Sequence, residues 1–184
     1  MNVVAIIPAK GTSRRLPRKN IYPIWGMPMM AWAIKACQES EIGITPWVSS
    51  EDEEIQKVAR ELGAKVHVRD PELSDHITSK QAVIRSAAQH IQETEGLPDI
   101  ILSVQPNSPQ LRWFHLDEGI RTLFKYERDE VFSVGRDLQQ NAAFRVFRGE
   151  YVFQLDLSTN CGVYVCDLMD VHDIEDVKVL ENAT

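Results

Sequence analysis

Between Ala5 and Asn20 the chain reads AIIPAKGTSRRLPRKN, and five of its side chains, Lys10, Arg14, Arg15, Arg18 and Lys19, are cationic. The whole sequence of 184 residues has 20 Lys and Arg against 27 Asp and Glu, a formal charge of −7, so this cluster is local. Cations beside Gly11 and the hydroxyls of Thr12 and Ser13 suit the binding of phosphate. Glycine lets a backbone approach, exposed amides point at the anion, and fixed charges neutralise it. The segment contains no Gly-x-x-x-x-Gly-Lys-Ser/Thr and no Gly-x-Gly-x-x-Gly, which sets aside a P-loop ATPase and an ordinary dinucleotide binder. The bland alternative is a solvated surface turn. Its position directly behind an apolar run argues instead for an anion cradle. The net negative charge excludes a general nucleic-acid or membrane-surface binder, because phosphate polymers repel such a surface.

Such a loop needs a rigid frame, and the pattern around it supplies one. Val3–Ile7 is apolar almost throughout, as in a strand covered on both faces. Further short β-like runs follow at Pro46–Ser49, Lys65–Val68, Ile100–Val104 and Glu130–Val134. They alternate with helical periods at Met30–Cys37, 52–62, Ser79–His90, Leu116–Phe124 and Ile174–Leu180. Ser50 and Glu53 have the spacing of a capping box for the second helix. This alternation predicts an α/β fold with a mostly parallel sheet, as one domain over residues 1–184. Ligands of such sheets sit beyond the carboxyl ends of the strands, so the loops after Ile7, Val48 and Val104 are expected to face one site. Cys37, Cys161 and Cys166 lack metal or redox spacing, and neither a signal-peptide core nor a membrane-length apolar run is present. Reduced thiols in a cytoplasmic protein are the expectation.

The loop resembles the signature of the acylneuraminate cytidylyltransferases, Ala-Arg-x-x-Ser-Lys-x-x-Pro-x-Lys-Asn. Ala9, Lys10, Ser13, Arg14, Pro17, Lys19 and Asn20 hold its places, with Lys10 and Arg14 exchanging the usual cations. Val48-Ser49-Ser50-Glu51-Asp52 is similar to Val-Ser-Thr-Asp-Asp of the same family. Arg69–Ser79 matches its next run at Glu72, Leu73, Asp75 and Ser79. Gln105-Pro106-Asn107-Ser108-Pro109 resembles its Gln-Pro-Thr-Ser-Pro, and Asn160-Cys161-Gly162-Val163-Tyr164 is a looser copy of Asn-Gly-Ala-Ile-Tyr.

The resemblance implies a Rossmann-like nucleotidyltransferase (GT-A-like) three-layer sandwich that transfers CMP from CTP to a sugar acid. It implies Lys10, Arg14 and Lys19 on the phosphates, with Ala9, Gly11, Thr12, Ser13, Asn20 and Ser79 completing the nucleotide site. Gln105, Asn160 and Tyr164 are implied for the sugar acid. It also implies Mg²⁺, since the family carries a late Asp-x-Asp. Here that segment reads Asp170-Val171-His172-Asp173, so Asp170 matches and Asp173 is the next oxygen donor. An acidic helix start is the alternative for these two residues.

Two departures stand out. Leu111 replaces an arginine of the family, with Arg112 one place late, and the stretch from Phe144 to Asp173 is short for the family. The missing part should include the projecting dimerisation element and aromatic residues over the sugar. The resemblance leaves a homodimer as the assembly to look for. A different NTP, a phosphorylated sugar or polyol acceptor, and a nucleotide-binding homologue without turnover are the competing readings.

Overall fold

The apolar run ahead of the basic loop forms strand β1 (Val3–Pro8), whose first five residues are all buried. The computed structural model describes residues 1–74, 77–155 and 158–183. After β1 come a small hairpin, β2 (Pro23–Ile24) and β3 (Met27–Pro28), then helix α1 (Met29–Gln38), β4 (Ile44–Ser50), α2 (Glu53–Glu61) and β5 (Lys65–Val68). Helix α3 (Lys80–Glu95), β6 (Ile100–Val104), α4 (Trp113–Lys125) and β7 (Glu130–Val134) continue the alternation. β8 (Gln140–Arg148), β9 (Cys161–Val165) and α5 (Ile174–Asn182) close it.

Seven strands form one sheet in the order β5-β4-β1-β6-β8-β7-β9, and all run parallel except β8. The expected mostly parallel α/β architecture is therefore what the chain adopts. β8 pairs antiparallel with β6, Val104 opposite Phe144, and separates β6 from β7.

The period of two along β1 assigns its side chains to two cores. Val3, Ala5 and Ile7 pack with Met30 and Ile34 of α1, Ile55 and Ala59 of α2, and Leu116 and Ile120 of α4. Val4 and Ile6 point the other way, onto Ile84, Ala87, Ala88 and Ile91 of α3. A third cluster joins Leu16 of the basic loop to Ile24, Met29, Val171, Val177 and Leu180, which ties the loop to α5.

The cap of α2 differs from the Ser50–Glu53 box. Asp52 is the N-cap and accepts from the Ile55 amide at 3.0 Å, while the Ser50 hydroxyl accepts from the Asp52 amide at 3.1 Å. Both residues can cap, and β4 runs on to Ser50, which moves the cap two residues later, from Ser50 to Asp52.

His67 of β5 is 6% exposed, and its Nδ1 lies 3.0 Å from the Ser49 hydroxyl. Burial, with smaller contributions from His90 and Arg69, pushes its pKa down from 6.5 to about 4. The fold therefore favours neutral imidazole, and the unfolded chain takes up the proton first. The resulting stability is complete above about pH 6.5 and is lost as pH falls toward 4, on the order of 1–2 kcal/mol by pH 5. Thermal melts at pH 7 and pH 5 should show a smaller acid-induced drop for His67→Gln than for the parent chain.

Candidate functional site

The strand order reverses beside β1, where β4 and β5 lie to one side and β6 to the other. Such a switch point leaves a crevice beyond the strand ends. A cleft of about 280 Å³ opens there, with Pro8 and Lys10 on one wall and Gln105 and Asn107 on the other.

The basic loop owes its shape to four anchors. The Ala9 amide donates to Ser49 O at 2.9 Å, and the Asn20 side chain donates to Lys10 O at 2.8 Å. The Gly11 amide donates to the Glu51 carboxylate at 2.8 Å, and Leu16 is buried in the third cluster. Arg18 adopts a left-handed backbone (φ 56°) and pairs with Asp52 at 2.7 Å and also with Glu54. One of the five cations is thereby neutralised against the start of α2.

The other four divide between two hollows. Lys10 and Lys19, with Ser13, line both the cleft and a neighbouring hollow of about 250 Å³. Arg14 and Arg15, with His172, border the second hollow only. Burial lowers the pKa of Lys19, and the nearby Arg15, Lys10 and Lys80 add to the shift, while Asp170 opposes it. These four loop cations belong to no ion pair among the described residues; such a cluster attracts anions, and the two hollows together offer a length of cationic surface.

Asp170 is fixed by a docked loop. The Val171 amide donates to Asn107 O at 2.8 Å, the Asn107 side chain donates to Val171 O at 3.1 Å, and the Ser108 hydroxyl donates to Asp170. Burial raises the Asp170 pKa, and Ser108, His172, Lys80 and Lys19 counter that rise. One oxygen of Asp173, Oδ1, is engaged elsewhere, capping α5 by accepting from the Glu175 and Asp176 amides. The described residues hold no group of three acidic, His or Cys side chains placed to bind a metal. Mg²⁺ commonly takes one or two carboxylates plus substrate phosphates, and Asp170 alone, between two lysines, fits that pattern.

Gln105 is buried just past the end of β6, and its backbone N–H donates to Ala143 O at 2.9 Å. Thr12 lies in the cleft wall. Ser79 caps α3, its hydroxyl accepting from the Ala82 amide at 3.2 Å. Asn160 and Tyr164 lie outside the cleft wall: Asn160 accepts from Arg128 and donates to Glu127 O, and Tyr164 packs on Phe144 and His115. Arg112 also turns away, bonding Pro109 O and Leu111 O and lying 5.2 Å from the Trp32 ring. Asp75 is outside the described residues.

Three site residues escaped the sequence reading. Arg69 at the end of β5 is 4% exposed, donates to Ser49 O at 2.6 Å and lines the cleft, and its buried Nε has no partner among the described residues. Glu51 links the loop to Arg69 at 3.6 Å and to the Ser74 hydroxyl at 2.8 Å. Lys80 opens into the cleft from the first turn of α3. The available signal was their place at strand ends and a helix start on the carboxyl side of the sheet.

Residues 4–159 match a family model described as cytidylyltransferase. The chain is 39% identical over 135 residues to N-acylneuraminate cytidylyltransferase A of Danio rerio, covering 73% of this chain and 30% of that protein. It is 38% identical over 112 residues to a pseudaminic acid cytidylyltransferase of Campylobacter jejuni, covering 60% and 48%. It spans about a third of the length of the acylneuraminate relatives that it matches. A solved CMP:2-keto-3-deoxy-manno-octonic acid synthetase, complexed with CTP, superposes with TM-score 0.79 at 15% identity over 100% of this chain and 98% of that one. A cytidylyltransferase of Leptospira borgpetersenii gives TM-score 0.73 at 14% identity, covering 98% and 85%. With the matched segment running from β1 to beyond β8, through the basic loop and Gln105, the chain belongs to the cytidylyltransferase family.

Proposed function

We propose that this chain transfers CMP from CTP to a sialic-acid-like sugar acid and releases pyrophosphate. The observation that carries the reading is the meeting of Lys10, Lys19 and Gln105 on one cleft at the switch point of the sheet. The names of the relatives, which act on N-acylneuraminate and pseudaminic acid, support the acceptor class.

The nucleoside occupies the cleft beside Arg69, one of the residues that line it. The phosphates run past Lys10 and Lys19 toward Arg14 and Arg15. The acceptor's hydroxyl oxygen bonds to the α-phosphorus, the bond from that phosphorus to the bridging oxygen breaks, and the hydroxyl proton leaves to solvent. Charge grows on the departing pyrophosphate, and preorganised cations stabilise it as it grows. Asp170 would hold Mg²⁺ together with the nucleotide's own phosphates, and the ion would add further neutralisation there.

A pyrophosphate-release assay with each of the four NTPs, against N-acetylneuraminate, pseudaminate and 3-deoxy-manno-octulosonate, tests the reading. Release should require CTP together with one of these acids. Preference for another NTP, or CTP binding without release under every pairing, overturns it.

A further inference from the structure

Beyond Gln105 lies another hollow of about 240 Å³, bounded by Ser103, Gln140, Phe144 and Arg145. Gln105 and Lys80 are the two residues, among those described, that line both this hollow and the nucleotide cleft. We propose that Lys80 receives the carboxylate of the acceptor at this junction, a role that rests on the reading of the chain as a CTP:sugar-acid transferase.

The charge balance of the two compartments supports this assignment. The phosphate side already has Lys10, Arg14, Arg15 and Lys19. The acceptor side has hydroxyl and amide donors in Ser103, Gln105 and Gln140, suited to sugar hydroxyls, and an aromatic floor in Phe144 and Phe147. Its own cation, Arg145, is already neutralised. Its Nε donates to the buried carboxylate of Glu130 at 2.7 Å, a second nitrogen donates to the same oxygen, and the guanidinium lies over the Phe147 ring. Among the described residues, an anion entering that hollow therefore finds in Lys80 a positive charge outside any ion pair.

Lys80 belongs to none of the ion pairs found among the described residues. Among the described residues, the acidic charge it senses is Asp170, which also acts on Lys19. Protein walls around the ammonium, although it opens on solvent, lower its pKa through desolvation. Such a group interacts with an arriving carboxylate more strongly than a freely hydrated lysine does. Its place is fixed by the capped first turn of α3, whose amides also favour negative charge.

The experiment is a two-substrate kinetic analysis of Lys80→Met and Lys80→Arg, with N-acetylneuraminate and its neutral carboxamide as paired acceptors. Lys80→Met should raise KM for the acid by about 10–100-fold, the loss expected for one charged hydrogen bond, and leave KM for CTP within about threefold. Lys80→Arg should retain most of the acid affinity, and the carboxamide should not distinguish the parent chain from Lys80→Met. An unchanged KM for the acid, or an equal rise with the carboxamide, overturns the assignment. Should the parent chain itself turn over no CTP, the transferase reading fails separately. Calorimetric titration of N-acetylneuraminate into parent and Lys80→Met proteins then decides the carboxylate contact: weaker binding in the variant upholds it, and equal binding or none in either protein refutes it.

Discussion

Lys19→Ala is expected to lower kcat/KM for CTP by about 10²–10³-fold while the melting temperature stays level or rises. The activity loss follows from position. Lys19 lines both the cleft and the adjoining cationic hollow, so on the proposed reading it stands where the triphosphate would pass from one to the other. Removing one preorganised group aimed at developing charge typically costs a factor of that size. The stability result follows from the surroundings. Burial lowers the Lys19 pKa, and Arg15, Lys10 and Lys80 repel it, with Asp170 in opposition. The free protein therefore holds Lys19 at a cost that the ligand offsets, and alanine relieves it. Activity of pyrophosphate release and a melting curve on the same sample check both halves. Full activity in Lys19→Ala would detach the basic loop from catalysis, and a large fall in melting temperature would make Lys19 a structural residue. Arg18→Ala supplies a contrast, since Arg18 pairs with Asp52 and Glu54 outside the cleft.

That difference between two neighbouring cations marks how far the sequence could be read. β1 and β6 were legible because near-continuous apolar runs announce strands covered on both faces, β4, β5 and β7 because short β-like runs alternate there with helical periods, and the clustering of cations behind β1 announced the loop. Which cation faces the cleft was not legible, because it depends on the left-handed turn at Arg18 and on carboxylates some 34 and 36 residues away. β8 gave only a diffuse β signal, since its antiparallel place between β6 and β7 rests on pairings such as Val104 with Phe144, distant in sequence. Asp173 shows a deeper ambiguity. A metal ligand and a helix N-cap ask for the same oxygen at the same kind of chain position, and here the α5 amides take it. Asn160 likewise fits a substrate motif by spacing, yet Arg128 and the Glu127 carbonyl satisfy its amide. Glu51, Arg69 and Lys80 acquire their relation to the site only where the ends of β4 and β5 and the start of α3 converge.

Glu51→Ala is the substitution in which fold and site should fail together. The carboxylate is 16% exposed and holds three partners from separate segments: the Gly11 amide, the Ser74 hydroxyl and the Arg69 guanidinium. Its removal leaves Arg69 as a buried cation without a counter-charge among the described residues, and breaking buried pairs in this way costs about 3–5 kcal/mol. The separation of 3.6 Å and the remaining bond from Arg69 to Ser49 O reduce that here, to about 2 kcal/mol, or roughly 4–8 °C in melting temperature for a chain of this size. The same change releases the Gly11 amide, so the basic loop loses the tie that sets its distance from β4, and CTP affinity should fall at least about tenfold. Glu51→Gln separates the two effects. The amide oxygen can still accept from Gly11 or Ser74, which preserves the loop, while the charge that balances Arg69 is gone. Its melting temperature should therefore lie near that of Glu51→Ala, and its CTP affinity near that of the parent chain. Equal melting temperatures for the parent chain and Glu51→Ala would show that Arg69 needs no counter-charge, and equal CTP affinity would show that the loop keeps its shape without Glu51.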